Sequence, residues 1–156
     1  MGTDFSQYKT DTISRRFEKR IQALDMSDAD AYYRHLLENS DELDTLFNTT
    51  LIGVTEFFRD EDVFYVFREY LSKIISDKKP GESIRIWSVG CANGEEPYSI
   101  AMLLADILKE KVYNYPIQIF ATDIKEENLQ VARRGRYNIA SVSKLDPKFR
   151  DQYFVA

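Results

Sequence analysis

Apolar positions recur three and four residues apart through the first half of the chain and condense into two short runs in the second. This predicts helices followed by an alternation of strand and helix. A basic amphipathic helix is expected over residues 12–24. Ser27-Asp28-Ala29-Asp30 reads as a near capping box for a helix through Glu38, and Ser40 is placed to cap another that buries Leu43, Leu46 and Phe47. Asp60 is placed to cap a fourth helix, whose Val63, Phe64, Phe67, Tyr70, Leu71, Ile74 and Ile75 form a wide apolar stripe. Asp77-Lys78-Lys79-Pro80-Gly81 then reads as a turn. It is the expected boundary between a helical domain, residues 1–79, and a second domain, residues 80–156.

In the second domain Ile84, Ile86 and Val89 favour a buried strand, and Ile100, Ala101, Leu103, Leu104, Ile107 and Leu108 repeat at helical spacing. Gly90 and Gly94 lie between them, with Pro97 in the first turn of the helix. A strand, glycine loop and helix in that order is where an α/β fold holds a nucleotide-like ligand. The dinucleotide fingerprint needs G-x-G-x-x-G and a P-loop needs G-x-x-x-x-G-K-[ST], whereas this loop reads G-x-x-x-G followed by Glu95 and Glu96. The two glutamates would repel a phosphate but can accept from ammonium and hydroxyl groups. S-adenosyl-L-methionine (SAM) carries an ammonium, a sulfonium and ribose hydroxyls and no phosphate, so it suits the loop better than NAD or ATP. The second strand candidate, Ile117-Gln118-Ile119-Phe120-Ala121-Thr122, is followed by Asp123. That carboxylate has two readings, a ribose acceptor or the cap of a helix over residues 125–134. Gly135 is a helix stop and Asp146-Pro147 the start of a last short helix. Two strands are few for a free-standing parallel sheet, which makes this the first part of a larger one.

The composition narrows the chemistry further. A chain of 156 residues, 44% of them hydrophobic, can bury one core or two small ones. No apolar run approaches the roughly 20 residues of a membrane span, and no signal-peptide pattern opens the chain, so no membrane insertion is expected. The single cysteine, Cys91, rules out an internal disulfide, fits a reducing cytoplasm and reads as a small loop residue. With His35 the only histidine, a His-rich metal site or a Ser-His-Asp triad has little to draw on, and no metal is expected. A net charge of −5 argues against nucleic acid as a partner. Charge is nonetheless uneven: Lys9, Arg15, Arg16, Lys19 and Arg20 face only Asp11 and Glu18 between residues 8 and 20. Such a cluster is either a solvated helix face or a docking face for an acidic partner.

Four segments carry a family resemblance in order and spacing from about residue 8 to the end of the chain. They are Ile52-Gly53-Val54-Thr55-Glu56-Phe57-Phe58-Arg59-Asp60, the run from Trp87 through Gly94-Glu95-Glu96-Pro97-Tyr98-Ser99 to Met102, Ala121-Thr122-Asp123-Ile124, and Ala132-Arg133-Arg134-Gly135-Arg136-Tyr137. Together they resemble the CheR-type chemoreceptor glutamate methyltransferases. The resemblance implies an N-terminal helical domain followed by the first part of a SAM-dependent, Rossmann-like α/β methyltransferase domain. The implied activity is methylation of glutamate side chains on the cytoplasmic part of chemoreceptors, with S-adenosyl-L-homocysteine (SAH) as product. It further implies that Thr55 and Arg59 reach SAM from the interdomain segment, that Gly90 and Glu96 contact it from the glycine loop, and that Asp123 accepts from its ribose. Gly53 stands where some members have a cofactor-touching asparagine. The helix with Arg15, Arg16, Lys19 and Arg20 is similar to the family's receptor-facing helix. The family pattern continues past residue 156 with a small β-subdomain, further strands, a Cys-Arg-Asn segment and a tyrosine near the reaction centre, so the chain is expected to cover roughly the N-terminal half.

Arg59 is the expected catalytic positioning group, because a guanidinium stays charged and binds carboxylates bidentately; its rival reading is a surface ion pair with Asp60. Phe57 and Phe58 read as core and His35 as structural or exposed. Glu95 reads as ordinary helix-start charge. Two other functions stay open, a non-catalytic receptor-docking or SAM-binding fragment and a nicotinamide oxidoreductase half-domain, the latter disfavoured by the loop.

Overall fold

The computed structural model describes residues 10–50, 53 and 55–155. Tyr8 and Lys9 of the basic stretch, and Ile52 and Val54 of the interdomain motif, lie outside the described residues. The chain forms two compact units, Met1–Ile52 and Gly53–Ala156. The division therefore falls well before the expected break at residues 79 and 80.

The first unit is built from α1 (Thr10–Ala23), α2 (Ala29–Glu38) and α3 (Ser40–Thr50). The cap of α2 is Asp28, one residue after the Ser27 that a capping box would use, its side chain accepting from the Ala31 N–H at 2.8 Å. Ser40 is the first residue of α3 and not its cap, and Leu43 is exposed while Leu46 is buried. The position that turns inward instead is Glu42. Its carboxylate takes a forked bond from Arg20, Nε to Oε1 at 2.8 Å and Nη2 to Oε2 at 2.6 Å, and a third from the Tyr32 hydroxyl at 2.7 Å. Phe17 closes edge-on against the Tyr32 ring at 5.5 Å. A charge can sit in this small core because it is paired and fully bonded.

The second unit begins with α4 (Glu61–Ser76) and continues through β1 (Ile84–Val89), α5 (Glu95–Leu108), a 3-10 turn (Lys109–Asn114), β2 (Ile117–Thr122), α6 (Glu126–Arg134), α7 (Ile139–Val142) and α8 (Pro147–Tyr153). Strands β1 and β2 pair in parallel from Ile84 opposite Ile117 to Val89 opposite Thr122. Alternation then sends Ile84, Ile86, Ile117 and Ile119 to one face. There they meet Ile100, Leu103, Leu104 and Leu108 of α5 and Leu71 and Ile75 of α4, a core in which each buried aliphatic side chain is worth about 1.5–3 kcal/mol. This packing explains the early boundary: α4 buries its apolar edge against the sheet, so it belongs with the second unit. Its stripe is narrower than expected, with Val63, Tyr70 and Ile74 exposed. The other face of the strand pair presents Trp87, Val89 and Phe120 to solvent.

A second cluster gathers Phe57, Met102, Val142 and Leu145, with Phe58, Tyr137, Phe149 and Phe154 against it. Phe57 and Phe58 are core, as read from sequence. Helix α7, capped by Asn138 through the Ser141 N–H, was not legible from apolar spacing because it is only 4 residues long. Asp146 caps α8 through the Lys148 N–H at 2.8 Å.

Candidate functional site

The strand-to-helix loop, residues 90–94, is tied to the end of β2 from several directions. The Gly90 and Cys91 N–H groups both donate to the Thr122 carbonyl, at 2.8 and 2.9 Å, and the Ala92 N–H donates to Asp123 Oδ2 at 2.8 Å. Gly90 and Gly94 have φ of +72° and +98°, in the region glycine adopts without strain. At Gly94 a side chain is excluded outright, since a Cβ would stand 2.7 Å from that of Ala132 and 2.9 Å from the Tyr137 hydroxyl. At Gly90 a Cβ would meet nothing within 4 Å, so the backbone there borders open space where a ligand can approach.

Asp123 braces the start of α6 without occupying its cap position, which is Lys125, and at the same time faces the glycine loop. Its Oδ1 accepts from the Lys125 N–H at 2.8 Å and from Asn128 Nδ2 at 3.0 Å, fixing the entry to α6, while Oδ2 faces the glycine loop. Each carboxylate oxygen has two lone pairs, so Oδ2 retains acceptor capacity beside the loop. Glu96 is exposed at the start of α5, its Oε1 accepting from the buried Ser88 hydroxyl at 2.7 Å. One carboxylate on each side of the loop gives a site rich in acceptors.

Glu95 departs from the expectation of ordinary helix-start charge. It is only 5% exposed, and its Oε2 is buried with no hydrogen-bond partner. Burial pushes its carboxyl above the usual range, against a hydrogen bond from the Thr55 side chain that pulls the other way. Thr55 is thereby anchored to the first turn of α5, beside Glu96. Spacing could have found this inward carboxylate: Glu95, Ser99 and Met102 are four and three residues apart, and all three are buried on α5.

Arg59 lies on the same segment as Thr55, between two strained residues, Phe58 with φ +50° and Asp60 with φ +58°. Asp60 occupies the cap position of α4 without a side-chain bond to it; its backbone carbonyl takes the Val63 N–H at 2.8 Å instead. The Phe58 N–H is held by the Ser99 hydroxyl at 2.9 Å. The Arg59 guanidinium is half exposed, with Nε 3.8 Å from Asp60 Oδ2.

The structure thus brings Gly90, Glu96 and Asp123 to one loop and ties Thr55 to its helix. Of the basic cluster, Lys19 and Arg15 are exposed and Arg16 is half-buried, with Arg15 Nε donating to the Asp11 carbonyl at 3.2 Å. Arg20 is a correction: its guanidinium is spent on Glu42 inside the first unit and does not belong to a docking face. Cys91 is buried, and burial pushes its thiol up, as fits a small loop residue. Among the described residues no group of His, Cys, Asp and Glu is arranged to hold a metal ion, and no helix is long and apolar enough to cross a membrane.

Comparison with known proteins divides the chain at the same place as its structure. Residues 1–51 match the CheR methyltransferase all-alpha domain and residues 53–156 the CheR methyltransferase SAM-binding domain. The chain is 33% identical over 156 residues to the chemotaxis protein methyltransferase of Salmonella typhimurium, covering 99% of this chain and 51% of that protein. It is 32% identical over 157 residues to the chemotaxis protein methyltransferase of Escherichia coli, covering 99% of this chain and 52% of that one. It is also 34% identical over 153 residues to an uncharacterized 104.1 kDa protein of Rhodobacter capsulatus, covering 97% of this chain and 16% of the relative. The chain spans about half the length of the curated chemotaxis methyltransferases it matches.

Proposed function

The chain belongs to the CheR methyltransferase family, whose second domain takes SAM as cofactor, and from that premise we propose that it is part of an enzyme methylating glutamate side chains of chemoreceptors in the cytoplasm. The observation that carries this reading is the acid-flanked glycine loop. Glu96 and Asp123 offer acceptors to an ammonium and to ribose hydroxyls, the backbone at Gly90 leaves room for approach, and the loop bears no lysine for a phosphate. The residues present therefore fit SAM. When bound, SAM supplies an electrophilic methyl group and leaves as SAH.

A substrate glutamate, with a reference pKa near 4.3, is already ionised at neutral pH and needs no general base. This chain's residues then act by placement, a contribution worth roughly 7–11 kcal/mol when reacting atoms are well aligned. Asp123 would accept from the cofactor's ribose hydroxyls, and Glu96 would contact the cofactor from the glycine loop. Glu95 fixes Thr55, and the strained backbone around Arg59 aims its guanidinium, which steers the incoming carboxylate or contacts SAM. Arg15, Arg16 and Lys19 supply a positive face for the receptor's acidic methylation helices. SAM and SAH are expected to bind in calorimetry and NAD and ATP not to; equal or tighter binding of NAD sinks the reading.

A second reading, a receptor-docking or SAM-binding piece without turnover of its own, is favoured by the uncovered face of Trp87, Val89 and Phe120. Labelled-methyl transfer to a receptor cytoplasmic domain separates the two: turnover by a protein in which this chain continues into the family's further strands and tyrosine, with negligible turnover by residues 1–156 alone, supports the first, and SAM binding without turnover by either supports the second.

A further inference from the structure

We propose that Tyr137 is a positioning residue for the cofactor loop, holding residues 90–94 and residues 55–59 in the arrangement that receives SAM. The inference rests on the reading that this loop is the SAM site. Three of the loop's donors are satisfied by the end of β2, through the Thr122 carbonyl and Asp123. The opposite side is held by Tyr137, whose hydroxyl donates to the Asn93 carbonyl at 2.7 Å from beyond the end of α6. The same hydroxyl stands 2.9 Å from the point where a Cβ on Gly94 would lie, so it closes on the loop at the position where Ala132 of α6 also packs.

The ring makes the second connection. It meets Phe57 edge-on at 4.9 Å, and Phe57 is two residues from both Thr55 and Arg59. One half-buried side chain thus touches two of the segments that carry the proposed cofactor contacts, and it adds no charge to an already acidic site. Burial, with Glu95 nearby, pushes the phenol's ionisation far above neutral, so the hydroxyl remains a donor at working pH.

Tyr98 provides an internal control. Its hydroxyl donates to the Ala132 carbonyl at 2.9 Å and its ring meets Tyr137 edge-on at 6.0 Å, so its side chain makes an equivalent bond in the same neighbourhood, while only its backbone N–H bonds the loop, at the Gly94 carbonyl. Tyr137→Phe and Tyr98→Phe are compared in the full chain, by amide exchange of Gly90, Cys91 and Gly94 without ligand and by calorimetric SAH affinity. Tyr137→Phe is expected to speed exchange at those amides and weaken SAH by about fivefold, the change a neutral hydrogen bond commonly makes, while Tyr98→Phe stays within about twofold of wild type. The proposal is overturned if Tyr137→Phe exchanges like wild type, if it alters exchange but not affinity, if Tyr98→Phe has the same effect, or if Tyr137→Phe fails to fold. If wild type binds no SAH, the SAM reading fails, and amide exchange alone still decides whether Tyr137 holds the loop.

Discussion

Arg59 shows how a side chain's task can rest on its neighbours' backbone. Phe58 and Asp60 both adopt positive φ without being glycine, a conformation that costs of order 1–3 kcal/mol per residue and persists only where the surroundings impose it. Here they do: the Phe58 ring stacks on Phe149 at 4.7 Å, and its N–H is pinned by Ser99. In an active family member containing this segment, Arg59→Ala is expected to lower methyl transfer at least tenfold while moving the melting temperature by no more than about 2 °C, since a half-exposed guanidinium contributes little to the core. Arg59→Lys should also be poor, because an ammonium lacks the planar fork. Near-normal rates in both variants, measured by labelled-methyl transfer, would return Arg59 to its ion pair with Asp60. The family resemblance singled out Thr55, Gly90, Glu96 and Asp123 as candidates, and the structure gathers the last three at one loop. Glu95 escaped because an acid at a helix start suits the helix dipole whether or not it is buried, and only its place on the inward face of α5 distinguishes the cases.

At the scale of elements, α1 to α3 are joined by a charge cluster that apolar periodicity does not reveal. The Arg20 bonds, followed by that from Tyr32, hold the Glu42 carboxyl below its usual range despite burial. A carboxyl lowered on folding stabilises the native state above its unfolded pKa, and that contribution is lost as pH falls through the lowered folded value. The helical unit should therefore hold its melting temperature down to about pH 4.5 and weaken below it. Glu42→Gln is expected to cost about 2–3 kcal/mol at pH 7, less than a fully buried pair because Arg20 is partly exposed, and to flatten the acid limb. Circular dichroism melts at pH 7, 4 and 3 check both. The cluster also changes how the basic face should be tested, since reversing Arg20 would unfold what it probes. Arg16→Glu with Lys19→Glu is the cleaner pair. Receptor affinity should fall and lose salt dependence in that variant, with SAM affinity unchanged; an unaltered salt slope would leave the cluster a solvated face.

Across the whole molecule, the second unit is held together at its outer end by Asp106 of α5. Its buried carboxylate takes Arg68 of α4 at 2.6 Å and also Lys148 of α8. Burial raises its carboxyl, but the bonds from Lys148 and Arg68 outweigh it and leave the group lowered, so this clamp too weakens in acid. Asp106→Ala should destabilise the second unit by about 2 kcal/mol. Hydrogen exchange should then lose protection in α4, α5 and α8 and keep it in α1 to α3. Uniform loss across both units would show that they do not respond separately. The turn at residues 77–81 is as clear in the structure as in the sequence, yet it is a connection inside a unit. Turn chemistry marks where the chain bends, whereas a domain edge depends on which partner the apolar stripe of α4 chooses, a tertiary fact.

Trp87 is the chain's single tryptophan, 66% exposed on the uncovered face of the strand pair, its Nε1 3.0 Å from the Thr122 hydroxyl. The molecule therefore carries its own optical gauge. Any segment laid over that face strips water from the indole, moving its fluorescence to shorter wavelength and shielding it from a dissolved quencher, with no other indole adding background. The affinity of such a covering segment can be read from the unlabelled native chain, by titrating the segment and following emission alone.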